Sequence, residues 1–164
     1  MSNDGNAKSM SIIVTKGTLD WAYPPFILAT TAAAMGLEVT MFFTFYGLGL
    51  LKKDMNLKVS TLGNPAMEMP MMGAHMSMPN ILAAMPGASA LTSAMMKSMI
   101  QKKGVASIEE LREMAVEAGV NMIACQMTMD LFEYKQEDMI EGPTLGGAAS
   151  WVEVATQSDI NLYI

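Results

Sequence analysis

One cysteine, one histidine and little charge of either sign are what this chain of 164 residues offers for chemistry. With Cys125 alone, no intramolecular disulfide can form, and a lone thiol suits a reducing compartment where it is free for reaction or packing. Sixteen acidic residues outnumber ten Lys and Arg, giving a formal net charge of -6. Phosphate binding needs clustered Lys and Arg, so neither DNA nor RNA is expected as a partner. Charged residues make up 16% of the chain and hydrophobic ones 51%, against about 25% charged in an ordinary soluble domain. Much apolar surface must therefore be hidden, and a homo-oligomer is the simplest way to hide it. Residues 1–10 are polar, expected to be flexible, and lack a basic start leading into an apolar stretch with a small-residue cleavage site. Secretion is not indicated, a cytoplasmic location is expected, and residues 11–164 fit a single domain.

The long apolar run at residues 26–51 has Glu38 as its only charge and is long enough to span a bilayer. Gly36 interrupts it where a helix should end. The run then turns β-rich at Val39, Thr40, Met41, Phe42, Phe43, Thr44 and Phe45, which suits a strand buried on both faces rather than a membrane helix.

Around this run the elements alternate. Residues 11–15 read as a short buried strand, and Lys16-Gly17-Thr18 turns into a helix with Pro24 and Pro25 near its first turn. Residues 37–45 give a second strand, followed by a short helix at 48–53 and a weak strand at 57–62. Residues 63–79 read as a long methionine-rich loop, of the kind that serves as a lid, binding element or interface segment. Leu91, Met95 and Met99 then recur at four-residue spacing on an amphipathic helix whose end is marked by Lys97, Lys102, Lys103 and Gly104. Ser107-Ile108-Glu109-Glu110 is a capping box that starts a helix with the stripe Ile108, Leu111, Met114, Ala115 and Ala118, stopped by Gly119. A strand at 120–124, a helix at 145–156 and a final strand at 161–164 complete the pattern. This alternation implies an α/β fold with a mostly parallel sheet, because each right-handed crossover needs a helix to return.

Cys125 follows the strand at 120–124, at the carboxyl edge of a parallel sheet where open α/β folds form their ligand crevices. The next residues, Gln126, Met127, Thr128, Met129 and Asp130, can begin a helix whose free amides face the sulfur and favour its thiolate, the nucleophilic form. Asp130 opposes this if it faces the sulfur, or caps the amides if it turns inward. On these residues alone the thiol is either reactive or a small buried hydrophobe.

The segment Ala124-Cys125-Gln126-Met127-Thr128-Met129-Asp130 resembles the cysteine motif of DsrE/DsrF-like sulfur-transfer proteins. Met41-Phe42-Phe43-Thr44-Phe45-Tyr46-Gly47-Leu48, Lys103-Gly104-Val105-Ala106-Ser107-Ile108-Glu109-Glu110-Leu111 and Asp159-Ile160-Asn161-Leu162-Tyr163-Ile164 resemble the same family, so the likeness runs from Met10 onward. It implies a flavodoxin-like three-layer α/β/α domain with a five-stranded sheet, assembling into homo-oligomers and needing no cofactor. Cys125 would take up sulfane sulfur or thiosulfate as a persulfide or thiosulfonate, in sulfur oxidation or trafficking. The partners implied are a TusA-like carrier, a rhodanese-like donor and heterodisulfide-reductase-like machinery. Some relatives use a second cysteine. This chain has none, so the sulfur must pass to another molecule.

Rival readings attach to other residues. Met67, Met69, Met71, Met72, His75, Met76 and Met78 form a set suited to Cu(I), yet the twenty methionines are spread over the whole chain and Met is an adaptable hydrophobe. His75 has the pKa range for acid–base work beside Cys125, although no Cys-His spacing establishes it. Lys16, on a neighbouring strand end, would favour thiolate if it faced Cys125. Thr15-Lys16-Gly17-Thr18 matches neither a dinucleotide fingerprint nor a P-loop. A scaffold subunit whose cysteine never loads is the remaining alternative.

Overall fold

The apolar runs of the sequence become the interior strands of a five-stranded sheet. A computed structural model describes residues 8–61, 68–71, 74–77, 81 and 84–164, with 68–71 and 74–77 as backbone only. Two compact units emerge, one from residues 8–17, 21–55 and 108–164, the other from 18–20 and the described part of 56–107.

In the first unit, β1 (Ser9–Val14), β2 (Glu38–Phe43), β5 (Asn121–Cys125), β6 (Thr144–Gly146) and β7 (Ile160–Tyr163) form a sheet in the order β6-β5-β2-β1-β7. Every pairing in it is parallel. Successive strand residues point to opposite faces, so Phe42 and Phe43 report what covers each side. Phe43 meets Phe26 of α1 (Leu19–Ala34) with ring centroids 5.9 Å apart, and Phe42 stacks on Trp151 of α5 (Ala148–Gln157) at 6.0 Å. Helices thus lie on both faces, giving three α/β/α layers. Ile12, Val14, Met41, Phe43 and Phe26 are fully buried, and each large side chain so removed from water contributes about 2 kcal/mol.

After β2, a 3-10 segment (Phe45–Leu51) buries Leu48, Leu50 and Leu51. Its carbonyls at Leu50 and at the following Lys52 accept from the Arg112 guanidinium at 2.9 and 2.7 Å. Arg112 belongs to α3 (Ile108–Glu117), which starts where the capping sequence predicts. The buried stripe of α3 is Ile108, Leu111, Arg112 and Ala115, so Met114 and Ala118 face outward and an arginine replaces them inside.

Several expectations are corrected. Residues 57–61 pair with no strand among the described residues. Residues 145–156 are not one helix, because Thr144–Gly146 pair with Ile123–Cys125 as an edge strand before α5 begins. Within the expected loop at 63–79, β3 (Glu68–Met71) and β4 (Ala74–Ser77) pair as antiparallel strands. On α2 (Ala88–Lys102) the buried residues are Thr92 and Ser93, with Leu91, Met95 and Met99 exposed. The two hydroxyls bond back to Ala88 and Ser89 carbonyls, and Ser93 also receives the Val59 amide at 2.9 Å. Pro24 and Pro25 sit inside α1, one turn beyond its start. Of the segment 1–10, residues 1–7 lie outside the described residues, whereas Ser9 and Met10 open β1. Among the described residues no helix is long and apolar enough to cross a membrane.

Candidate functional site

Cys125 is both the last residue of β5 and the N-cap of α4 (Gln126–Leu131), with no linker between strand and helix. The sequence Met122-Ile123-Ala124 is apolar enough to be buried between helices, and the helix that follows turns its first amides back toward the sulfur. The register of β2 on β5 sets Phe43 against Ala124, so the residue that follows β2, Thr44, falls beside Cys125.

The thiol therefore lies between two kinds of neighbour. On one side are Phe42 and Ile123, with Ile13, Trp151 and Val154 packed against them. On the other are the hydroxyls of Thr44 and Thr128, 3.1 Å from each other. Thr128 is fully buried and also accepts the Phe45 amide at 3.2 Å. Cys125 itself is 3% exposed. Burial pushes its pKa up, but the hydroxyls of Thr128 and Thr44 and the amides of Thr128 and Met127 outweigh it, so the thiol rests below its ordinary value. Neither amide closes a short capping hydrogen bond to the side chain; they act as dipoles aimed at the sulfur. The arrangement favours a thiolate shielded from water, the species that attacks a polarised sulfur.

Of the residues singled out from sequence, Thr128 is brought to the thiol by its side chain and Met127 by its amide. The Met127 side chain is 62% exposed. Gln126 and Asp130, one turn apart on the exposed side of α4, bond to each other at 2.9 Å. Met129 is buried and lines a cavity of about 270 Å³ with Ala124, Met139, Leu145 and Lys53. Ala124 and Cys125 point to opposite faces of the sheet, so this cavity opens on the far side from the sulfur. The Lys16 ammonium sits over the Trp21 ring, 3.1 Å from its centroid. His75 pairs through its backbone with Pro70 of β3, and its side chain lies outside the described residues, as do Met67, Met72 and Met78.

Thr44 was not among the expected site residues. A hydroxyl at the carboxyl end of the strand next to the cysteine strand is the signal that points to it, and that signal needs the strand order. Phe45, immediately after it, has φ 47, a conformation uncommon outside glycine, and this bend brings its amide to Thr128. Gly17, in the segment weighed as a nucleotide turn, is where the chain crosses Tyr46: a Cβ there would collide with the Tyr46 carbonyl. Among the described residues no three His, Cys, Asp or Glu side chains cluster as metal ligands do.

Comparison with known proteins places the whole chain among relatives of one kind. The chain is 59% identical over 157 residues to a protein of Allochromatium vinosum called sulfur carrier protein DsrE2, covering 96% of this chain and 98% of that one. It is 32% identical over 160 residues to the uncharacterized protein YrkE of Bacillus subtilis, covering 96% and 97%. The crystal structure of the ychN protein from E. coli shares the fold, with a TM-score of 0.53 at 10% identity over 96% of this chain and 99% of that one. Residues 6–163 match the model of one family throughout, and the chain belongs to the DsrE/DsrF/DrsH-like family.

Proposed function

We propose that this chain is a sulfur carrier that holds sulfane sulfur or thiosulfate on Cys125, as a persulfide or thiosulfonate, and passes it to a partner protein. The observation that carries the reading is the site itself. The only thiol of the chain stands at the carboxyl edge of a parallel sheet, nearly covered, with two hydroxyls and two amides favouring its anion. A relative of 59% identity bears the name of a sulfur carrier, which supports the same chemistry here.

In this reading the Cys125 thiolate attacks the donor sulfur bonded directly to the donor's cysteine Sγ, that Sγ leaves with the electron pair, and the hydrogen or sulfonate group stays on the sulfur transferred. With no second cysteine, release must go to an acceptor outside the chain. Donor and acceptor are proteins of the TusA-like, rhodanese-like or heterodisulfide-reductase-like kinds, meeting a homo-oligomer in the cytoplasm. Shielding of the thiol by Phe42 and Ile123, with Ile13, Trp151 and Val154 packed against them, slows attack by water and small thiols on the load.

Incubation with thiosulfate, tetrathionate or polysulfide followed by mass spectrometry tests this. The expected result is one adduct on Cys125, absent in Cys125→Ser. A protein left unmodified by all three reagents counts against carriage and for a scaffold role.

A further inference from the structure

Thr128 has a single hydroxyl proton, and its surroundings direct it. The Phe45 amide donates into Thr128 Oγ1 at 3.2 Å, which occupies one lone pair. The Thr44 hydroxyl, 3.1 Å away, can donate into the other. Thr128 then has its proton free for the Cys125 sulfur, while Thr44 can rotate to give its own proton either to Thr128 or to the sulfur. Strand register sets Thr44 beside Cys125, and Thr128 is the third residue of the helix that Cys125 caps, so the two hydroxyls, 3.1 Å apart, flank the thiol from separate elements.

Resting on the carrier reading, we propose that Thr44 and Thr128 form a rotatable donor pair that stabilises the Cys125 sulfur as the leaving group when the carried sulfur departs. In that step an acceptor thiolate attacks the outer sulfur of the Cys125 persulfide. A new S–S bond forms to the acceptor, the bond between the outer sulfur and Cys125 Sγ breaks, and the electron pair stays on Sγ. The proton remains on the transferred sulfur, and nothing is oxidised or reduced overall. In the persulfide, Sγ is a neutral bridging atom and a poor acceptor, and the outer sulfur lies about 2 Å further out. The two hydroxyls therefore bind the loaded state weakly and strengthen as charge returns to Sγ, which accelerates release. In loading the order reverses: the same bonds stabilise the attacking thiolate and are lost as it reacts. The pair thus tilts the carrier toward giving sulfur up. Thr44 and Thr128 thus act on the leaving-group sulfur itself, not on the acceptor.

Cyanide serves as the probe acceptor, since it attacks the outer sulfur, yields thiocyanate and frees the Cys125 thiolate. Protein loaded with polysulfide is compared as wild type, Thr44→Val, Thr128→Val and the serine variants of both. Thiocyanate release is expected to slow roughly three- to tenfold in each valine variant, as for a leaving thiol of higher pKa. Loading measured at alkaline pH, where every variant is thiolate, is expected to stay unchanged or rise. Serine at either position restores release, and the iodoacetamide alkylation profile moves to higher pH only in the valine variants. Thr44→Val, at a half-buried site, keeps the test open if Thr128→Val misfolds. Equal release in all loaded variants, or release and alkaline loading falling in proportion, overturns the leaving-group role alone. A wild type that takes up no sulfur overturns the carrier reading and this proposal with it.

Discussion

Two acids stand at opposite ends of the same sheet, and both are held below their ordinary pKa. At the amino end, Asp159 precedes β7 and its Oδ2 accepts the amides of Lys8 and Ser9 at 2.8 and 3.0 Å and the Ser9 hydroxyl at 3.0 Å. Those bonds, the Lys8 amide foremost, lower its pKa. At the carboxyl end, Cys125 is favoured as an anion by hydroxyls and amides of the same kind. Asp159 is exposed and Cys125 is buried. Water already solvates the carboxylate, so its donors serve to tie the start of β1 to the start of β7. The thiolate has little water, so its donors decide whether the nucleophile exists. Converging donors make a staple where solvent reaches and a reactive centre where it does not.

The largest disturbance to the reactive end should come from Gly47. A Cβ there would collide with the carbonyl of Val14, which also accepts the Thr44 amide at 3.0 Å. Gly47→Ala is expected to cost about 3 kcal/mol in urea unfolding, and to displace Thr44 so that Cys125 alkylates as an ordinary thiol. Intact low-pH reactivity in a destabilised Gly47→Ala would separate the two ends from any dependence on this crossing.

A smaller effect is expected in the wild type itself. Iodoacetamide should react with folded Cys125 at a midpoint below that of the same thiol in urea, although burial lowers the plateau rate. The depressed folded pKa means that the thiolate stabilises the fold fully only above the unfolded pKa, and ceases to do so as pH falls through the folded one. A midpoint equal to that in urea would remove the contrast with an inert cysteine.

Asp159→Asn should have the mildest consequence. Because the folded carboxyl is the stronger acid, its contribution is present above the unfolded pKa and disappears on acidification through the folded value. Urea midpoints of the variant should therefore drop slightly at neutral pH and converge with wild type in acid, leaving Cys125 alkylation untouched. A change in alkylation would mean that the two ends of the sheet communicate.

Much of this arrangement was legible in the residues. Apolar runs bounded by glycine or polar residues gave β1, β2, β5 and β7, and the step from Ala124 to Gln126 placed Cys125 at a strand-to-helix junction. What escaped has physical causes. Thr144-Leu145-Gly146 is three residues long with Pro143 before it, and only pairing with β5 makes it a strand. A Cβ on Gly146 would press on Ile123 Cγ2 at 2.7 Å, which accounts for a glycine in that edge. The pairing of β3 with β4 was hidden because methionine carries little β preference and Pro70 argues against a ladder. On α2 the periodic Leu91, Met95 and Met99 suggested a core face, yet satisfied hydroxyls occupy it. Thr44 reaches the site through register, a property of the pairing of two distant segments rather than of either one.

The outer strands of the sheet, β6 and β7, span only Thr144–Gly146 and Ile160–Tyr163. So little unpaired backbone gives another polypeptide almost no ladder to extend. Sheet-to-sheet growth, the usual hazard of a chain this rich in apolar residues, is thereby blunted at both margins by length alone.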